Sequence, residues 1–367
     1  MSHWECRECD YGVDAAGPPD ACACCGAPRS SLSEIAPIEL DGIDRRLLAT
    51  LKTACLLTLR PYRSLAASVG VAEEDLIARI RRLKAGPIRQ IAGVFDPTRL
   101  GYRSAALVME CAPVSAAAFA ARASRHPWVV RTSLCDPSGT VWLWLALPDR
   151  AELQWEAERI ASSRCVRSMV VLPIASVHRA PAERRGAPPA QWREIERRSD
   201  VPPPTTEFDR RVIRALQRDL PLSEWAFEEL ASGLGTSMAA RSLVETGRQF
   251  VANGWLRRYG AVMRLAHRPE SASAIGAWRV PETDAPSFAS HIARIPGVVE
   301  SAVLEGCPCW WPYSVVAEVD GHSQQECASV LSTASALAPG WQHAQFHGVH
   351  DLKRARPRFF TREPAAA

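Results

Sequence analysis

The chain repeats itself, and that limits its architecture more than any other feature. Ile43-Asp44-Arg45-Arg46-Leu47-Leu48-Ala49-Thr50-Leu51 lines up with Phe208-Asp209-Arg210-Arg211-Val212-Ile213-Arg214-Ala215-Leu216 at an offset of 165 residues. At the same offset Leu65-Ala66 and Gly70 match Leu230-Ala231 and Gly235. Gly86-x-Ile88-Arg89 matches Gly254-x-Leu256-Arg257 at offset 168, and Pro127-x-Val129-Val130 matches Pro296-x-Val298-Val299 at offset 169. An ordered series with a slowly drifting offset is what two copies of one unit with small loop insertions produce. The 367 residues therefore divide into two related units and the segments outside them.

Each copy reads as helices followed by a strand-rich region. Leu47, Leu48, Leu51 and Cys55 fall at helical spacing and predict a first helix. A short helix around Leu65-Ala66-Ala67 ends at Gly70. A third carries Leu76, Ile77, Ile80 and Leu83 on one face and stops at Gly86-Pro87. This is a helix-turn-helix, with Ile88 to Phe95 as its wing strand. Strand Ser104 to Cys111, helix Ser115 to Arg125, strand Val129 to Leu134, strand Val141 to Leu147, helix Ala151 to Ser162 and strand Ser168 to Leu172 follow. That order, β-α-β-β-α-β, predicts an α/β sandwich of ferredoxin-like type. The second copy repeats it, with Ser314 to Val319 among its clearest strands. The expected fold class is α+β: a small metal knuckle, then two tandem units of winged helix plus sandwich. The expected bounds are 1–35 for the knuckle, 36–92 and 93–179 for the first copy, and 207–260 and 261–367 for the second. Between the copies, 180–206 is rich in Pro, Arg and Glu and reads as an extended connector with one short helix around Trp192.

The N-terminal 35 residues carry the second strong signal. Cys6-x2-Cys9 and Cys22-x2-Cys25 are separated by twelve residues. Each pair can set two thiolates on one side of a tight turn, and two facing pairs make a tetrahedral S4 site suited to iron or zinc. So short a segment buries too little for a core of its own, so the metal must supply folding energy. Cys24 is read as lying outside the ligand set.

Charge and hydropathy exclude some classes. No run of about 18 apolar residues occurs, so no membrane span is expected. The N-terminus lacks a basic run followed by an apolar one, which predicts a cytoplasmic protein whose twelve cysteines are metal ligands and thiols rather than disulfides. Residues 1–34 hold two Arg against six Asp or Glu, a balance of −4, so the rest carries +8 within the total of +4. A basic body suits nucleic acid or a polycarboxylate small molecule. Cys55, Cys111, Cys135, Cys165 and Cys327 lie in apolar stretches and are expected to be buried. Trp142 and Trp144 alternate onto one strand face and read as packing residues. Cys307-Pro308-Cys309 is a weak thiolate signal.

Two resemblances follow from these residues. Trp4-x-Cys6-x2-Cys9-x-Tyr11-Gly12 with Pro19-x2-Cys22-x2-Cys25-Gly26-x-Pro28 resembles the rubredoxin-like domain at the end of rubrerythrins, with Ala23 where that family has Pro. This implies one iron held by Cys6, Cys9, Cys22 and Cys25; zinc suits the same four thiolates. The two copies are similar to the Lrp/AsnC group, and within it to the siroheme decarboxylases of haem d1 and alternative haem biosynthesis. The motifs are Leu256-Arg257-Arg258-Tyr259-Gly260-Ala261, His126-Pro127-Trp128-Val129, Trp311-Pro312-Tyr313-Ser314, and Lys353-Arg354 with Arg358-Phe359-Phe360. The resemblance runs from about Leu40 to Phe360 and implies two subunit-type halves fused in one chain, pairing within it.

It also implies chemistry. Siroheme or a related tetrapyrrole is the expected substrate, and its carboxylates need cations once drawn out of water. Arg257, Arg258, Arg264, Arg131, Lys353 and Arg358 are the expected binding cations, with Trp311 as a flat apolar partner. Loss of an acetate carboxyl needs the macrocycle as electron sink and a positioned acid to protonate the new methyl. Where the family places histidines after its His-Pro-x-Val turn, this chain has Arg131 and, in the second copy, Glu300. Ser314 replaces its Asn. His347, His350 and Tyr313 are the expected substitute acids, and the resemblance then implies a chain diverged from the family's pattern. A second reading is a DNA-binding regulator that senses haem or redox state through the knuckle. Glu73-Glu74-Asp75, opening the recognition helix, would repel phosphate and argue against DNA. A third is exchange of electrons with a partner through rubredoxin-type iron.

Overall fold

The computed structural model describes residues 2–7, 11–23, 26–35, 38–53, 55–126, 128–148, 150–178, 202–204, 206–233, 238–264, 272–308, 310–354 and 357–360. The N-terminal segment holds β1 (Ser2–Cys6), β2 (Gly12–Ala15) and β3 (Leu32–Ile35). The first copy follows with α1 (Gly42–Thr53), α2 (Pro61–Val69), α3 (Glu73–Leu83) and β4 (Ile88–Phe95), then β5 (Arg103–Cys111), α4 (Pro113–Ala123), β6 (Val129–Cys135), β7 (Thr140–Leu147), α5 (Arg150–Ala161) and β8 (Val166–His178). The second has α6 (Glu207–Leu216), α7 (Ala226–Ser232), α8 (Ala240–Ala252) and β9 (Leu256–Met263), then β10 (Ala272–Trp278), α9 (Ala285–Ile292), β11 (Val298–Leu304), β12 (Val315–Gly321), α10 (Gln324–Ala336), β13 (His343–Phe346) and β14 (Val349–Arg354). Both copies thus have helices, a wing strand and the β-α-β-β-α-β order. The expected helix around Trp192 lies outside the described residues.

The elements sort into two compact units, each built from both copies. One joins the two winged helices. Pro61 opens α2 at a position where its missing N–H costs nothing. Gly70 closes that helix at φ 81° with its N–H on the Ala66 carbonyl, a left-handed cap that favours glycine. The acids Glu73, Glu74 and Asp75 sit in the first turn of α3, where the helix dipole favours them. Thr206 caps α6 by accepting from the Asp209 N–H. The two wings, β4 and β9, pair antiparallel with each other, Ile91 opposite Ala261 and Gly93 opposite Tyr259. Sequence periodicity within one copy cannot show such a pairing. It also corrects the first helix: α1 ends at Thr53, short of Cys55, because Leu56 donates its N–H to the Tyr259 carbonyl of β9 at 2.9 Å.

The other unit is a nine-stranded sheet in the order β13-β10-β12-β11-β8-β5-β7-β6-β14. Its terminal strands, β13 and β14, are joined in sequence by only His347 and Gly348, so the sheet must curl until its ends meet. Gly348 makes that turn at φ 63°, and a Cβ there would stand 2.2 Å from the Asp136 carbonyl oxygen. Outward-facing residues pack on helices: Leu107, Met109, Leu143 and Leu145 with α4 and α5, and Val315, Ala317 and Val319 with α9 and α10. Inward-facing residues of the two copies meet in a third core, which includes Ala106, Val108, Trp142, Leu172, Ile275, Ala302 and Val316. The two-residue alternation of strands produces this division. β8 is longer than its expected Ser168 to Leu172 because it serves both copies: its first half pairs with β5 and its last residues pair with β11. Cys111, Cys135 and Cys327 are buried as expected, whereas Cys55 and Cys165 are half-buried.

Candidate functional site

The wing cations differ sharply in what holds them. Arg257 is paired with Asp96 at 2.8 Å. Arg264 donates to three carbonyls, of Lys84, Gly86 and Ile88, at 2.6–2.9 Å, so it fastens one wing to the other. Arg258 donates to the Ala261 carbonyl at 2.8 Å, and among the described residues no carboxylate pairs with it. Burial pushes its pKa below the usual guanidinium value. A sequestered cation without a counter-ion is costly unless an anion arrives. Arg358 is exposed, and its neighbour Phe359 packs edge-on against Phe95 at 6.3 Å.

The other expected site residues belong to the sheet unit. Arg131 is 5% exposed and points to the inner face from β6. It makes a bidentate pair with Glu318 of β12, lies 3.1 Å from Asp351 of β14, and stacks 4.6 Å from the Trp144 ring. Asp351 also accepts from the Ser133 hydroxyl. Arg131 therefore anchors the two copies to each other, and its charge is already met by two carboxylates. Lys353 is buried and donates to the Ser124 carbonyl at 2.8 Å. Trp311 is likewise a core residue, 5.7 Å from Trp142 and 6.0 Å from Phe346, ring to ring. Trp142 and Trp144 stack at 5.7 Å, the packing role expected of them.

Of the candidate acids, Tyr313 is half-buried with its ring 5.2 Å from Trp311. His347 and His350 are exposed at the turn into β14 and along it, and His347 Nε2 contacts the Gln345 side chain at 3.1 Å. Tyr313 packs on Trp311, and Trp311 on Phe346, the residue before His347. Cys307 gives its S–H to the Tyr313 carbonyl, and burial raises its pKa. Cys309 lies outside the described residues.

The knuckle presents two of its four thiols. Cys6 and Cys22 are buried, in a small cluster with Tyr11 and Leu32; Cys9 and Cys25 lie outside the described residues. Two matching turns surround them. Cys6 donates its N–H to the Tyr11 carbonyl at 2.9 Å, and Cys22 donates to the Ala27 carbonyl at 2.8 Å. Both bonds run from residue i to residue i+5. A four-residue core holds little hydrophobic stabilisation. Among the described residues no three His, Cys, Asp or Glu side chains form a metal group. Arg125 donates to the Ala23 carbonyl at 2.8 and 3.0 Å, and Tyr11 bridges to Lys353, tying the knuckle to the sheet.

One cluster escaped the sequence reading. Arg159 donates to both carboxylate oxygens of Glu156 and, at 2.6 Å, to His126 Nδ1, which lies 2.8 Å from Glu156. Glu156 is buried. Burial, with Arg159 and Lys353, lowers the His126 pKa against the pull of Glu156. The His126-Pro127 motif was visible, but its partners lie about 30 positions away on α5.

The recognition helix is turned inward electrostatically. Arg79 of α3 reaches Asp41, Asp44 and Asp75, and Arg82 reaches Asp44. Arg60 is held by Glu73 and Glu224. These cations are committed within the chain.

Comparison with known proteins places this architecture. A family model described as the siroheme decarboxylase NirDL-like HTH domain matches residues 44–89. The alpha subunit of siroheme decarboxylase from Desulfovibrio desulfuricans is 30% identical over 133 residues, which span 36% of this chain and 76% of that subunit. The chain belongs to the siroheme decarboxylase family. The siroheme decarboxylase of Hydrogenobacter thermophilus is 25% identical over 320 residues, covering 87% of this chain and 95% of the relative. The beta subunit from D. desulfuricans is 24% identical over 150 residues, 93% of its length. Separate alpha and beta relatives are consistent with two subunit-type halves joined here. A crystal structure of the siroheme decarboxylase NirDL with an iron-uroporphyrin III analogue superposes with a TM-score of 0.67 at 24% identity, over 87% of this chain and 95% of the other. That likeness concerns the fold.

Proposed function

We propose that this family member is a carbon–carbon lyase that removes acetate carboxyl groups, as CO2, from siroheme or a related tetrapyrrole in haem d1 or alternative haem biosynthesis. One observation carries the proposal: 87% of this chain aligns with 95% of the length of a siroheme decarboxylase. Arg258 supports a polyanionic ligand, since it is a half-buried cation with no carboxylate partner among the described residues. Arg257 and Arg358, on the same unit, would add to it.

The reaction breaks the bond between a pyrrole acetate methylene and its carboxylate. The electron pair passes into the macrocycle, CO2 leaves, and the new methyl takes a proton. The proton must come from a positioned acid. Tyr313, His347 and His350 are the candidates; Tyr313 is the least exposed of the three, and partial exclusion of water favours proton transfer along a fixed geometry.

Cys6, Cys9, Cys22 and Cys25 would hold iron, or zinc, in the knuckle. Iron there would supply one-electron chemistry. Decarboxylation itself consumes no electrons, so the knuckle would serve an electron-exchange partner or a sensing role. No specific observation favours DNA binding: α3 opens with three acids, and its Arg79 and Arg82 are internally paired.

The test is anaerobic incubation of the full chain with siroheme, following the absorption spectrum and the product mass. Mass losses of whole CO2 units are expected. A shifted spectrum with unchanged mass would identify a binding protein without this activity.

A further inference from the structure

We infer that Cys111 and Cys165 form a redox-active dithiol, a modification site separate from the metal knuckle and the proposed tetrapyrrole chemistry. Cys111 ends β5, and Cys165 immediately precedes β8. These strands are antiparallel neighbours, with Cys111 opposite Val166, and Ala112 donates its N–H to the Cys165 carbonyl at 3.1 Å. The two backbones are therefore locked side by side where the cysteines leave them. Both side chains enter the same core, the one between the first copy's sheet and α4 and α5. Adjacent strands, adjacent positions and a shared face are the conditions a disulfide needs without backbone movement.

Their environments differ in a way that assigns roles. Cys165 is half-buried, with the Ser163 hydroxyl 3.1 Å from its sulfur; Ser163 is in turn held by Arg122 at 2.6 Å. It is the thiol a small oxidant can reach. Cys111 is 1% exposed. Burial and direct contact with Cys165 push its pKa up to about 11, so it stays protonated and inert until its neighbour is modified. The thiols of Cys307 and Cys327 instead donate to backbone carbonyls.

The oxidant class is a hydroperoxide. The Cys165 sulfur attacks the peroxide, its O–O bond breaks, and a sulfenic acid and one water or alcohol form. The Cys111 sulfur then displaces the sulfenic hydroxyl. An S–S bond forms, the S–O bond breaks, and the hydroxyl leaves as water with the Cys111 proton. Two thiols and one hydroperoxide thus give one disulfide, one water and one water or alcohol. Effective concentration in a fixed contact drives the second step. A dithiol reverses it.

The experiment treats the reduced, native full chain with hydrogen peroxide, blocks remaining thiols, and maps peptides without reduction. A 111–165 linked peptide two hydrogens lighter than the free pair is expected at low peroxide. It should disappear on later dithiol treatment. Thermal denaturation of the oxidised chain should shift upward, because the link closes a long loop. In Cys111→Ser, a dimedone adduct should appear on Cys165. In Cys165→Ser, checked for native circular dichroism, Cys111 should remain unmodified. The inference is overturned if Cys165 is unmodified while other thiols oxidise. It is equally overturned if wild-type Cys165 proceeds to sulfinic acid with no link to Cys111.

Discussion

Arg131 of the first copy and Glu318 of the second close a bidentate ion pair inside the curled sheet, both 5% exposed or less. Their strand neighbours complete a pattern. Trp144 lies opposite Arg131 on β7, and Glu300 lies opposite Glu318. The first copy thus contributes a cation and an aromatic ring where the second contributes two carboxylates. First-to-second pairing satisfies all four. Pairing of two second copies would bring four carboxylates together, which like-charge repulsion forbids.

Removing one member should cost more than the pair itself contributes, because a buried charge is left behind. Glu318→Gln is expected to destabilise the sheet unit by about 3–5 kcal/mol, and a double replacement Arg131→Met with Glu318→Leu should recover most of that. Denaturant unfolding of the single and double variants measures it. Equal destabilisation by single and double variants would contradict this account.

The winged-helix unit should be acid-sensitive through Asp41 and Asp44. Backbone and Arg79 hydrogen bonds bring Asp41 down from 3.8 to about 2. Burial raises the Asp44 pKa, but Arg82, the Asp41 amide and Arg79 outweigh it and leave it lowered. Both groups bind a proton more readily unfolded than folded, so their contribution is complete above about pH 4 and fades as pH falls through the folded values. Acid titration followed by far-ultraviolet circular dichroism should show helix loss between about pH 4 and 2. Asp44→Asn should weaken the native state at neutral pH and flatten that transition.

Local pattern made much of this fold legible. The wing strand Ile88 to Phe95 emerges with its expected bounds, and the continuous apolar run Val141 to Leu147 located β7, which is buried on both faces. What did not emerge was pairing between copies. The β4–β9 ribbon, the second half of β8, and the Arg131–Glu318 pair depend on residues more than 80 positions apart. The pairing of Arg131 could not be read from its own motif because Glu318 lies on a strand of the other copy. His126 was noticed as part of a turn, whereas Glu156 and Arg159 carried no motif to connect them with it.

The knuckle should be a metal-dependent fold in its own right. Replacing Cys6 with Ser should abolish stoichiometric metal, measured by elemental analysis of the full chain, while the sheet unit remains folded. Hydrogen exchange should then lose protection at Cys22 and at Gly26, whose N–H donates to the Cys22 carbonyl at 2.9 Å. Retained metal in Cys6→Ser would argue against the four-thiolate set.

Arg258 and Arg264 stand six residues apart on and beside one strand, and their substitutions should separate binding from stability. Among the described residues, Arg258 donates to the Ala261 carbonyl, at 2.8 Å, and pairs with no carboxylate. If it meets a tetrapyrrole carboxylate, Arg258→Gln should weaken siroheme binding about tenfold or more, the value of one charge-assisted hydrogen bond, and leave the melting midpoint nearly unchanged. Arg264 is saturated by three carbonyls of the neighbouring segment. Arg264→Ala should therefore lower stability by about 1–3 kcal/mol and leave the affinity of the folded protein intact. Spectral titration with siroheme, alongside thermal denaturation of each variant, distinguishes the two. Unchanged affinity in Arg258→Gln would remove the wing from the binding surface. Weakened binding in a fully stable Arg264→Ala would mean that Arg264, and not Arg258, meets the ligand.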